Sequence, residues 1–125
     1  MAAHILIADD EPNIVLSLEF LMKQAGFDVE TVADGEAALD AVRRNPPALV
    51  LLDIMMPGKD GFEVCQTIRR DPQLNDTKIV ILTAKGRDVE REKGMALGAD
   101  AYITKPFATQ EVVEKVREIL AGEAT

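Results

Sequence analysis

Apolar positions along the chain follow two alternating rhythms. Five short runs rich in β-branched and aliphatic residues predict strands at His4–Ala8, Asp28–Val32, Leu49–Leu52, Lys78–Leu82 and Ala101–Thr104. The third and fourth are nearly all apolar, as strands covered on both faces of a parallel sheet should be. Between the runs, apolar residues recur at helical spacing. The first helix, about Pro12 to Ala25, carries Ile14, Val15, Leu18, Leu21, Met22 and Ala25 on one stripe; Pro12 suits its first turn and Gly26 ends it. A second helix follows Asp34-Gly35 and stops by Asn45-Pro46-Pro47, because a prolyl ring cannot continue it. The third opens at Asp60-Gly61-Phe62-Glu63, where Asp60 can cap and Glu63 can reach back. The fourth, about Arg87 to Leu97, has only a thin stripe of Val89, Ala96 and Leu97, and its Gly94 costs about 1 kcal/mol against alanine. The last sets Val112, Val113, Val116, Ile119 and Leu120 opposite Glu111, Glu114, Lys115 and Glu118.

Strands alternating with helices throughout mean repeated βαβ units with right-handed crossovers. The expectation is one doubly wound α/β domain over residues 1–125, its core spanning about 4–120. At 47% hydrophobic and 29% charged residues the chain is neither a disordered tail nor a membrane protein. Its longest apolar run, Ala48 to Leu52, is far too short to span a bilayer, and the start lacks a signal-peptide pattern, so the expected location is cytoplasmic. A net charge of −8 repels a phosphate backbone, which argues against nucleic-acid binding. Cys65 is the single cysteine, which excludes an internal disulfide and a multi-cysteine metal site.

In a doubly wound sheet, ligands bind at the carboxyl ends of the strands. Those ends carry Asp9-Asp10-Glu11 after strand 1, Asp53 after strand 3, Thr83-Ala84 after strand 4, and Lys105-Pro106 after strand 5. Carboxylates leaving adjacent strand ends repel one another unless a divalent cation lies between them, and oxygen donors of this kind suit Mg²⁺. With a hydroxyl at Thr83 and a compact charge at Lys105, the set is that of a phosphoryl-transfer site. Neither G-x-G-x-x-G, G-x-x-x-x-G-K-[ST] nor G-x-S-x-G occurs, so nucleotide cradles and acyl-transfer triads have no candidates. Taken singly these residues have bland readings: a solvated turn for the Asp pair, a strand-end hydroxyl for Thr83, packing for Tyr102. Cys65 reads as an inert helix residue packed with Phe62 and Ile68.

Five pieces in order carry a resemblance: Ile7-Ala8-Asp9-Asp10-Glu11, Leu51 to Gly61, Ile81-Leu82-Thr83-Ala84, Gly98 to Tyr102, and Lys105-Pro106-Phe107. From about His4 to Leu120 the chain resembles receiver domains of two-component signalling, and is similar to the single-domain regulators of chemotaxis. That resemblance implies a flavodoxin-like (βα)5 three-layer sandwich with parallel strand order 2-1-3-4-5. It implies that Asp53 accepts a phosphoryl group from a phosphohistidine of a sensor histidine kinase or histidine phosphotransfer protein. Asp10, Asp53 and the Met55 backbone carbonyl would hold Mg²⁺ directly, and Asp9 would act through a metal-bound water. Lys105 would pair with Asp53 at rest and with a phosphoryl oxygen afterwards. Thr83 and Tyr102 would be the switch residues, Thr83 swinging to the phosphoryl group and Tyr102 turning inward behind it. The Lys105–Pro106 bond is usually cis in the family. Helix 4, strand 5 and helix 5 would form the surface read by a downstream protein target, and phosphorylation-dependent homodimerisation is compatible with this scheme.

Beyond the family pattern, Leu16 and Phe20 lie one turn apart opposite the core stripe of the first helix, a docking patch for the phosphodonor protein. Two other classes compete with the switch. An aspartate-nucleophile phosphatase would carry a second acid two residues after Asp53, where this chain has Met55, so steady enzymatic turnover is not expected. A phosphorylation-independent interaction module would not need the complete acceptor set. Met55 and Lys85 flank that set and are expected to tune the lifetime of the phosphorylated form.

Overall fold

A computed structural model describes residues 3–84 and 88–122. Its elements follow the expected alternation: β1 (His4–Ala8), α1 (Pro12–Gln24), β2 (Asp28–Val32), α2 (Gly35–Arg44), β3 (Leu49–Asp53), α3 (Gly61–Arg70), a 3-10 turn at Pro72–Leu74, β4 (Lys78–Ala84), α4 (Asp88–Ala96), β5 (Ala101–Lys105) and α5 (Thr109–Leu120). All strands pair in parallel, in the order β2-β1-β3-β4-β5, the flavodoxin-like arrangement. Strands β3, β4 and β5 run one or two residues past their apolar runs, so that Asp53, Thr83 and Lys105 are themselves strand residues. No described helix is long and apolar enough to cross a membrane.

Alternation along the strands splits the core into two layers. Ile5, Ile7, Leu49, Leu51, Val80, Leu82 and Ile103 pack against Leu18 and Met22 of α1 and Val112, Val116 and Ile119 of α5. Leu6, Ala8, Val50, Leu52, Ile79 and Ile81 pack against α2, α3 and their flanks, including Ala38, Val42, Val64, Cys65 and Ile68. Cys65 sits in this layer with Phe62 and Ile68, as expected, and burial raises its thiol pKa, which keeps it inert.

Helix boundaries are set by local chemistry. Gly26, at φ 97°, ends α1 with the Gly26 N–H donating to Lys23 O and the Phe27 N–H to Met22 O. Asp34 caps α2 by accepting from the Ala37 N–H at 2.8 Å. Asp60 and Glu63 form the reciprocal box at the start of α3. Three arms of Arg69 then bind the far end of the sheet: Nε to Gly98 O at 2.8 Å, Nη1 to Thr77 O at 2.7 Å, and Nη2 to Asp100 Oδ2 at 2.7 Å.

Of the expected stripe of α4, Leu97, just past its end, packs against the core, but the other two positions do not. Val89 is 77% exposed and Ala96 is also outside, while Gly94 is the buried residue. A Cβ on Gly94 would lie 2.2 Å from Ile81 Cδ1, so the absence of a side chain is what lets the helix backbone rest on β4. Its starting residue as read from the sequence, Arg87, lies outside the described residues.

Gly61 makes a similar close approach where it matters for the site. Its N–H donates to Ile54 O at 2.9 Å, and a Cβ there would stand 2.4 Å from the Asp53 carbonyl oxygen. Helix propensity alone favours Gly61→Ala by up to about 1 kcal/mol. Because the clash is with backbone, the substitution should instead destabilise the fold by about 2 kcal/mol, measured as a lower urea midpoint.

Candidate functional site

Parallel register brings the chemistry-bearing residues into one row. Ala8 pairs with Leu52, Asp53 with Leu82, and Ala84 with Lys105. Strand alternation then assigns faces. Asp9, Asp53 and Lys105 continue the phase of Ile7, Leu51 and Ile103, on the α1–α5 side. Thr83 continues the phase of Ile79 and Ile81, on the α3–α4 side.

At the head of this row lies a concentration of charge. Asp9 and Asp53 are buried, Asp10 is exposed, and carboxylate oxygens of the three lie within 4.8 Å of one another. Among the described residues, one cation is paired with the cluster. Lys105 Nζ stands 2.9 Å from Asp9 Oδ2, 3.0 Å from Glu11 Oε1 and 3.4 Å from Asp53 Oδ1. The expected Lys105–Asp53 pair is therefore present, but it is the longest of three. Glu11 is a residue that sequence reasoning left without a role. It occupies the N-cap of α1 yet makes no side-chain cap bond, and its carboxylate goes to Lys105 instead. Its acidity beside Asp9-Asp10 was the available signal.

Backbone donors orient the acids. Asp9 Oδ1 accepts from the Glu11 N–H at 2.9 Å, and Asp53 Oδ1 accepts weakly from the Met55 N–H at 3.4 Å. Burial, then the neighbouring Asp9 charge, raise the Asp53 pKa from 3.8 to about 6, against the opposing pull of Lys105 and the Met55 N–H. Burial alone would lower the Lys105 pKa, but close contact with the Asp9 and Glu11 carboxylates and the nearby charge of Asp53 leave it raised, so the amine stays protonated.

These residues suit a magnesium ion. Three hard carboxylate donors converge, and the buried Asp9 Oδ2 is close to Lys105 yet receives no well-directed hydrogen bond. The pocket in front of Asp53, about 280 Å³, is lined by Glu11, Met55, Leu82, Ala84, Glu90 and Lys105 and can admit a phosphoryl group. Met55, the position where a phosphatase would hold its second acid, is exposed and apolar.

The other expected residues are placed as follows. Thr83 is buried at the end of β4, and its register partner is Thr104. Tyr102 is not turned inward: it is 36% exposed, with the Arg91 guanidinium 4.9 Å from the centre of its ring. Leu16 and Phe20 are 68% and 64% exposed, and Leu16 lines a groove of about 340 Å³ with Asp9, Asp10, Val15 and Val32. Lys105–Pro106 is cis. Lys85 lies outside the described residues.

Because Asp53 holds its proton more tightly in the folded chain, its ionisation opposes folding. That penalty is absent below a pH of about 4, grows between the unfolded value of 3.8 and the folded value of about 6, and is complete above it. Without metal, Asp53→Asn should be more stable than the wild type at neutral pH by about 1–3 kcal/mol, with the advantage fading towards pH 4. Urea denaturation across that range with a chelator present checks it. Added Mg²⁺ should stabilise the wild type and do less for Asp53→Asn.

Comparison with known proteins agrees with this geometry. The family profile of the response regulator receiver domain matches residues 5–117. A protein described as a response regulator from Chloroflexus aurantiacus J-10-fl is 36% identical with a TM-score of 0.94, covering 97% of this chain and 99% of its own. The BeF3-activated receiver domain of DrrB is 30% identical with a TM-score of 0.87, covering 97% and 99%. The chemotaxis protein CheY4 of Vibrio cholerae is 28% identical with a TM-score of 0.89, covering 95% and 99%. With the profile spanning nearly the whole chain and the acids, threonine and lysine at the expected strand ends, the chain belongs to the response regulator receiver domain family.

Proposed function

We propose that the chain is a phosphoacceptor switch that takes a phosphoryl group on Asp53 from a phosphohistidine of a sensor kinase or phosphotransfer protein. The observation that carries this reading is the buried Asp53 carboxylate facing an open pocket, with Asp9, Asp10 and a protonated Lys105 around it. The likeness to a BeF3-activated receiver supports it, since such a fluoride complex can stand in for a phosphoryl group on a carboxylate.

An Asp53 oxygen forms the new P–O bond as the donor P–N bond breaks. The electron pair of that bond returns to the imidazole nitrogen, which takes a proton from solvent. A carboxylate is a weak nucleophile, but the transition state is loose, so alignment and charge neutralisation carry the rate. Bound Mg²⁺, held by Asp10, Asp53 and the Met55 carbonyl with Asp9 behind a water, would supply part of that neutralisation. Lys105 supplies the rest, leaving Glu11 and Asp9 for a phosphoryl oxygen. Thr83 then donates its hydroxyl to the phosphoryl group, and Tyr102 follows inward on the same face of the sheet. The reading surface is α4, β5 and α5, through which a downstream protein is controlled.

With Met55 two residues beyond Asp53 there is no second acid for steady turnover, so the chain acts as a stoichiometric acceptor in the cytoplasm rather than as a phosphatase. Leu16 and Phe20 dock the donor protein beside the acceptor pocket. Intact mass after incubation with acetyl phosphate should show a single Mg²⁺-dependent phosphoryl adduct that is absent in Asp53→Asn. Lys105→Met should slow its formation by about tenfold or more. Leu16→Ser with Phe20→Ser should slow transfer from a phosphohistidine protein more than transfer from acetyl phosphate. Absence of an adduct from both donors in folded, Mg²⁺-bound protein would overturn the reading in favour of a phosphorylation-independent interaction module.

A further inference from the structure

Helix α4 is attached to the rest of the fold unlike any of its neighbours. The buried residue in it is Gly94, which presents no side chain to interlock with the sheet. It rests on Ile81, and Ile81 is the register partner of Tyr102. On either side of that contact stands a cation over an aromatic ring. Lys93 Nζ lies 4.4 Å from the centre of Phe62 in α3, and the Arg91 guanidinium lies 4.9 Å from the centre of Tyr102 in β5. Arg91 is also fixed from its own helix by Asp88, at 3.4 Å.

Tyr102 and Thr83 share one face of the sheet. Thr83 lies two residues beyond Ile81 on β4, so the two side chains are diagonal neighbours across the β4–β5 pair. A Tyr102 ring turning inward must pass from beneath Arg91 towards Thr83. Its face therefore cannot serve both positions at once.

We propose that Arg91 is a latch residue, its guanidinium holding the Tyr102 ring outward in the resting protein and so setting the fraction of molecules already in the inward, acceptor-ready arrangement. This rests on the switch reading above but has its own signal. Arg91 is a positioning residue: it acts through Tyr102 and touches no reacting atom. A cation–π pair at a partly exposed site biases an equilibrium by about two- to fivefold, enough to tune a switch without locking it.

Tyr102 is the only tyrosine and there is no tryptophan, so intrinsic fluorescence reports on this ring alone. The experiment compares wild type, Arg91→Met, Arg91→Lys and Lys93→Met. It measures Tyr102 emission and its quenching by acrylamide, first without any phosphodonor and then with acetyl phosphate and Mg²⁺. Without donor, Arg91→Met should move part of the way to the phosphorylated wild-type signal, with quenching reduced as the ring turns in. Its rate of phosphorylation by acetyl phosphate should rise about two- to fivefold. Arg91→Lys keeps the cation and should restore most of the resting signal. Lys93→Met loosens the other side of α4 and should leave Tyr102 quenching unchanged. Unchanged or increased quenching in Arg91→Met with α4 intact by circular dichroism would overturn the latch, as would an equal effect from Lys93→Met. Failure of the switch reading itself is distinguishable: wild type would then take no phosphoryl group, whereas the donor-free quenching would still show whether Arg91 holds the ring.

Discussion

The arrangement depends on a crowding of carboxylates at one edge of the sheet, where the described residues supply little positive charge. Asp9 and Asp53 are buried within reach of each other, with Asp10 at the rim and Glu11 just beyond, and among the described residues one lysine, Lys105, is paired with them. Placing the Asp53 carboxylate there costs stability, because it loses water and feels the charge of Asp9. The cost appears in the raised pKa of Asp53. A stably folded core has to offset it, and the two apolar layers on either face of the five strands provide that support. On the proposed reading, an added cation or an electrophilic phosphorus atom at this edge would relieve existing repulsion, and the free energy held in the cluster would favour binding and transfer.

The same shortage makes Lys105 a shared resource. It is closer to Asp9 and Glu11 than to Asp53, so the Asp53 carboxylate, which lines the pocket, is only partly neutralised. Glu11 forgoes the usual capping bond at the start of α1 to take part. Local helix chemistry yields to the electrostatics of the site, a conflict of the kind expected where function rather than stability chose the residue.

Much of this was legible in the sequence because its causes are local or periodic. Strand phases followed from two-residue alternation, and helix limits from Pro12, Gly26, Asp34, Pro46 and the Asp60–Glu63 pair. The acids, Thr83 and Lys105 could be placed in one row because parallel strands end at a common edge. What escaped were contacts between elements remote in the chain. Gly94 looked like a defect in a weak helix; against Ile81 it is the point of closest approach. Val89 looked like core only because helical spacing cannot say that a glycine has taken the buried position. Nothing near Arg69 announced that its guanidinium would tie Thr77, Gly98 and Asp100 together.

Those unforeseen contacts divide the molecule into a fixed and an adjustable part. Helix α3 is bound to the sheet at both ends, through Gly61 at the edge that carries Asp53 and Arg69 at the opposite one. Helices α1 and α5 bury aliphatic stripes against the other face. Helix α4 alone meets the sheet through a glycine, and its flanking contacts are cations over rings, which are weak and tolerant of direction. Interlocked side chains in a packed core have few alternative fits. A smooth glycine contact between two such clasps allows a helix to shift at small cost. An aspartyl phosphate on Asp53, as proposed, would add negative charge beside Thr83, two residues along β4 from Ile81, on which Gly94 rests. Rearrangement should therefore appear first in α4 and Tyr102, the part of the fold that the chain has left least tightly packed.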